Sequence, residues 1–80
     1  MAATYLGQMY LRGDGTPPDA AMGLRLLERA ALLGDWNGAY TLAVGYKIGD
    51  DGVQKDPDKS KRYFRLAKEL GCELPVDEYL

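Results

Sequence analysis

Laid against itself with residue 37 under residue 1, the sequence comes into register. Leu6 falls on Leu42, Tyr10 on Tyr46, and Gly13 and Asp14 on Gly49 and Asp50. One extra residue near Asp51 moves the offset from 36 to 37. Gly15 then meets Gly52, Asp19 meets Asp56, Ala30 meets Ala67 and Gly34 meets Gly71. A period of this length marks a repeat protein, in which one unit cannot bury its apolar face alone and stacks on a neighbour to complete the core. The matching copies are residues 1–35 and 37–72, with Trp36 at the joint. The organisation read from them is a first repeat at 1–36, a second at 37–72 and a C-terminal tail or capping turn at 73–80.

Each copy reads as two helices. Ala3, Leu6, Gly7 and Tyr10 follow the i, i+3, i+4, i+7 spacing of one helical face, and the breakers from Gly13 to Pro18 stop that helix near Arg12. A second helix starts near Asp19, with Gly23, Leu26, Leu27, Ala30 and Ala31 on one face and Gly34 as its stop. In the second copy a helix runs from about Asn37 to Ile48, with Ala39, Leu42, Ala43 and Tyr46 facing inward. Asp56 followed by Pro57 is a strong helix start, because Asp accepts free backbone N–H groups and Pro suits the first turn. Ser60, Tyr63, Phe64, Ala67 and Leu70 form the face of the last helix, which Gly71 ends. Gly7 and Ala43 let backbones approach closely, and the rings of Tyr10, Tyr46, Tyr63 and Phe64 fill the space between helices. The fold class expected is all-α: two stacked αα-hairpins of an α-solenoid with a short tail or cap.

Composition removes much of chemistry. With 46% hydrophobic and 28% charged residues the 80-residue chain is globular in composition, and its net charge of −2 carries no basic bias toward nucleic acid. It has no His, which excludes a His-based triad and His-liganded zinc. Its single cysteine, Cys72, excludes an internal disulfide. No apolar run approaches the ~18 residues of a membrane span. Met1 to Tyr10 lacks a basic region followed by a continuous apolar stretch, so no signal peptide is expected. The lone cysteine fits a reducing cytosol; a processed periplasmic or secreted chain has the same look. Gly13 and Gly15 resemble a phosphate loop, but Pro18 stands where its third glycine belongs and no strand precedes it. Asp14, Asp50 and Asp51 suggest calcium, yet the twelfth positions counted from Asp14 and Asp50 are Arg25 and Lys61 rather than Glu. Nothing places a carboxylate pair around a cleft. The chain is therefore read as no enzyme, with no cofactor and no metal.

These residues resemble the Sel-one-like repeat (SLR) family, a relative of the tetratricopeptide repeats. The pattern is a small residue, Leu-Gly, Tyr, a Gly-x-Gly loop, Asp, a small residue, Ala-Ala and a closing Gly. It reads here as Ala2, Leu6, Gly7, Tyr10, Gly13, Gly15, Asp19, Gly23, Ala30, Ala31 and Gly34. The second copy reads Gly38, Leu42, Ala43, Tyr46, Gly49, Gly52, Asp56, Ser60, Ala67, Lys68 and Gly71. Ala43 and Lys68 depart from the pattern, as does Met22, where Lys59 keeps the usual Lys. The resemblance implies αα-hairpins stacked in a right-handed superhelix, a scaffold for protein–protein contacts and no catalytic residues.

In tetratricopeptide-like solenoids the first helix of each repeat lines a concave face that takes peptides. Carried onto this sequence, that gives Thr4, Gln8, Leu11 and Arg12, then Asn37, Tyr40, Val44, Lys47 and Ile48, with Tyr40 as the anchor for a peptide or a partner helix. The alternative is a basic stripe of Lys59, Lys61, Arg62, Arg65 and Lys68 that touches nucleic acid or an anionic surface. Against it stand Asp56, Asp58 and Glu69 beside the stripe, which suit an ordinary solvated face. At the C-terminus, Leu74 to Leu80 is expected to pack Val76, Tyr79 and Leu80 on the second repeat or to fray. Leu6, Met9, Tyr10, Met22 and Leu26 are expected to face outward at the N-terminal end. That apolar face suggests self-association, a natural partner, or a chain cut from a longer solenoid.

Overall fold

A computed structural model describes residues 2–13, 15, 17–49 and 52–80, without the side chains of Ala2 and Ala3. Asp14, Asp50 and Asp51, considered above for calcium, lie outside the described residues, as does the side chain of Ala3. Among the described residues four helices follow one another: α1 (Ala2–Arg12), α2 (Ala20–Leu32), α3 (Trp36–Ile48) and α4 (Pro57–Glu69). A single 3₁₀ turn, Asp77–Tyr79, closes the chain. There is no strand among the described residues. None of the described helices is long and apolar enough to cross a membrane. The fold is an all-α stack of helical hairpins: α1 packs on α2, α3 on α4, and α2 on α3 between the repeats.

The same local chemistry builds both hairpins. Asp19 and Asp56 cap α2 and α4, each carboxylate accepting the N–H three residues on, at 3.1 and 3.2 Å. Pro57 sits in the first turn of α4, where no N–H is needed. Each loop is pinned by one backbone bond, from Asp19 N–H to the Tyr10 carbonyl and from Asp56 N–H to the Tyr46 carbonyl. Each hairpin also ends alike. The Gly34 and Asp35 N–H groups bond back to the Ala31 and Ala30 carbonyls, and those of Gly71 and Cys72 to Lys68 and Ala67. Gly13 and Gly15 take φ of 78° and 72°, the left-handed turn geometry that favours glycine.

Leu11, Leu27, Ala31, Ala39, Leu42, Tyr46, Val53 and Ala67 form the core between the repeats, and Ala43, Phe64 and Val76 form a second cluster behind it. Full burial of a side chain such as Leu27, Leu42 or Phe64 contributes about 1.5–3 kcal/mol. The first hairpin closes tightest where Gly7 meets Gly23: a Cβ on Gly23 would lie 2.8 Å from the Gly7 carbonyl oxygen. The matched contact in the second hairpin has Ser60, whose hydroxyl donates to the Ala43 carbonyl at 2.8 Å.

Four details add to the reading of the sequence or differ from it. Trp36, at the joint of the two copies, is the first residue of α3, because Asp35 caps that helix by accepting the Asn37 N–H at 3.0 Å. Val53, in the second loop, is a core residue. At the C-terminus Val76 is buried and Tyr79 stacks on Phe64 at 4.6 Å, while Leu80 is exposed. Of the five residues expected to face outward at the N-terminal end, Leu6, Met9 and Met22 are exposed, whereas Tyr10 and Leu26 are half-buried.

Candidate functional site: the groove between α1 and α3

Seven of the nine positions carried over to the concave face line one groove: Gln8, Leu11, Arg12, Asn37, Tyr40, Val44 and Ile48. The helices place them there by register, since Tyr40, Val44 and Ile48 recur every four residues along one side of α3. The groove has a volume of about 390 Å³, within the ~300–1,000 Å³ range of ligand sites. Its floor is tied across helices: the Gln8 amide donates to the Thr41 hydroxyl at 3.1 Å, and that hydroxyl donates to the Asn37 carbonyl at 2.8 Å. Leu11 contributes from below, since at 8% exposure it belongs to the core as much as to the groove. Tyr40 is held edge-on against Phe64, with ring centroids 5.8 Å apart, so its ring is positioned before any partner arrives. Ile48 is exposed at one end, and among the described residues of the lining Arg12 is the one cation.

Two of the nine lie elsewhere. Thr4 is 2% exposed, and its hydroxyl donates to the Asp35 carboxylate, tying α1 to the start of α3. The expectation of an accessible Thr4 is therefore corrected: its position on α1 turns toward the first turn of α3. Lys47 leaves the groove as well, with its ammonium 3.8 Å over the Tyr79 ring, drawn to the π-face of the C-terminal turn. Sequence reasoning missed Thr41, Gly45, Val53 and Leu74, which complete the lining. The signal for Thr41 was its place one turn after Asn37. Leu74 arrives from the tail and has no signal in the repeat pattern.

The basic residues of α4 are all exposed. They are interrupted: at about 100° per residue, Asp58 and Glu69 fall within the same arc as Lys61, Arg62, Arg65 and Lys68. Lys68 is bridged to Asp77 of the C-terminal turn at 2.5 Å, and Lys59 lies 5.3 Å from the Tyr46 ring centroid. Such a surface presents no continuous positive stripe to a phosphate backbone.

Tyr46 and Tyr63 stack between α3 and α4 with centroids 6.0 Å apart. Burial first, and then the negative charge of Glu28 on α2, pushes both phenols above their ordinary value of 10.0. They are neutral packing groups of the repeat junction.

A family model for the Sel1 repeat matches residues 1–35 and again residues 37–72. No curated protein matches the chain.

Proposed function

Because the chain belongs to the Sel1 repeat family, whose repeats are generally protein–protein interaction modules and typically non-catalytic scaffolds, we propose that it is an adaptor that binds a peptide or partner protein in the groove between α1 and α3. The observation that carries this reading is the convergence of Gln8, Arg12, Asn37, Tyr40, Val44 and Ile48 from two helices on one concave surface. A ring locked against Phe64 loses little freedom on binding, which makes Tyr40 the anchor. Ile48 and Val44 offer apolar contact beside it, and the amides of Gln8 and Asn37 suit the main chain of an extended segment. A photo-crosslinking residue at Ile48, in the source cell, is expected to capture a partner protein that the same residue at exposed Leu32 does not. Equal capture at both positions would overturn the reading.

A second observation favours self-association as well. Leu6 is 45% exposed, whereas Leu42, its match one repeat later, is fully buried in the core between the repeats. Met9 and Met22 extend the same open apolar face. Sedimentation at tens of micromolar is expected to show species heavier than the 8.8 kDa chain; a monodisperse monomer contradicts it.

A further inference from the structure

One matched surface carries opposite chemistry in the two repeats. In the first repeat, Leu11 and Leu24 turn toward the core that the second repeat completes, and Pro18 lies in the loop between their two helices. The residues at the same places one repeat later are Lys47, Lys55 and Lys61. An apolar stacking surface has thus become a surface of three ammonium groups from three elements: the last turn of α3, the loop and α4.

The three lysines line one cleft of about 640 Å³. Its aromatic wall is Phe64 and Tyr79, stacked on each other, with the Lys47 ammonium 3.8 Å from the Tyr79 centroid. Among the described residues none of the three lysines forms an ion pair. Among the described residues of the lining Glu78 is the one acid, against three lysines.

We propose that this cleft is a second binding site, separate from the groove, and that it takes an acidic segment of a protein: one or two carboxylates among Lys47, Lys55 and Lys61, with the adjoining side chain against Tyr79. Charge complementarity argues for the anion, and the walls argue for a short peptide rather than nucleic acid. The tail carries Glu73, Asp77 and Glu78, which repel every anion and repel most a chain whose charges run on past the cleft, so a short acidic segment fits better than a long phosphate backbone. Charge-assisted contacts of this kind weaken with salt, since the lysines are exposed.

The test is amide chemical-shift titration of the full chain with hexaglutamate, with inorganic phosphate and a ten-nucleotide single-stranded RNA as separate arms. Hexaglutamate is expected to give saturable shifts centred on Lys47, Lys55, Lys61 and Tyr79. The double change Lys55→Glu and Lys61→Glu should weaken it about tenfold or more, while Arg62→Glu with Arg65→Glu changes it by less than about twofold. Lys55→Gln with Lys61→Gln provides a neutral check, and circular dichroism confirms that each exposed-site variant is folded. Shifts spread evenly over all cations of α4, no saturation, or tighter binding of phosphate or RNA than of hexaglutamate would overturn the proposal. Ile48→Ala, which adds no charge beside Lys47, is expected to leave hexaglutamate binding unchanged, so failure here and failure of the groove are read independently.

Discussion

The two repeats are one hairpin built twice, and they differ where they meet their surroundings. Their skeletons agree to the hydrogen bond: the same Asp cap, the same loop-closing bond to a tyrosine carbonyl and the same two bonds at the end. The differences sit on faces. Leu6 is open where Leu42 is buried, and Ala31 is buried against the second repeat where Lys68 is free to reach Asp77. Leu11 and Leu24 serve the core where Lys47 and Lys61 serve a cleft. Capping and turn chemistry define the unit, and the residue on each outer face records which neighbour that face has. The C-terminal face has Val76 and Tyr79 of the tail in place of a helix, while the N-terminal face of the described residues stays apolar and open.

The two repeats are expected to differ most at Leu42 and Leu6. Leu42→Ala is expected to cost about 2–5 kcal/mol of stability and Leu6→Ala less than about 1, measured by urea unfolding at low micromolar concentration. Equal costs would mean that the front of the first repeat is buried after all. The next pair is the helix crossing. Gly23→Ser forces a side chain toward the Gly7 carbonyl and should cost about 1–3 kcal/mol. The reverse change, Ser60→Gly, loses one hydrogen bond and adds a helix-interior glycine, at about 1 kcal/mol. If both cost the same, the first hairpin is not closed more tightly than the second. Tyr79→Ala, which unstacks the tail from Phe64, should cost about 1 kcal/mol and abolish protection of the C-terminal amides in hydrogen exchange.

The smallest effect is on pH dependence. Tyr46 and Tyr63 have phenols raised in the folded state, so the unfolded chain loses those protons first. Their contribution to stability is therefore full below the ordinary value of 10.0 and is lost as pH rises above it. Tyr63→Phe is expected to flatten the alkaline fall in urea midpoint. An unchanged slope would contradict the burial assigned to that ring.

Much of this was legible because it is local. The helix starts at Asp19 and Asp56, the stops at Gly34 and Gly71 and the repeat itself need only neighbours in sequence. Asp35 escaped notice because its match, Cys72, caps nothing, and because it lies directly after a helix end. Thr4 was misplaced for a related reason: its burial depends on the Asp35 carboxylate, 31 residues away. Val53 and Leu74 lie in a loop and a tail, where no periodicity tells an inward side chain from an outward one, so these two residues of the groove's lining were invisible to pattern. The groove's helical residues were legible since register on α1 and α3 alone brings them to one side.

Whether α1 and α3, rather than the outer face of α4, take the partner is decided by the dissociation constant of the partner captured at Ile48, measured against two variants. Tyr40→Ala with Ile48→Asp is predicted to weaken binding about tenfold or more, and Arg62→Glu with Arg65→Glu by less than about twofold. Binding that survives the first change and collapses with the second would contradict the claim.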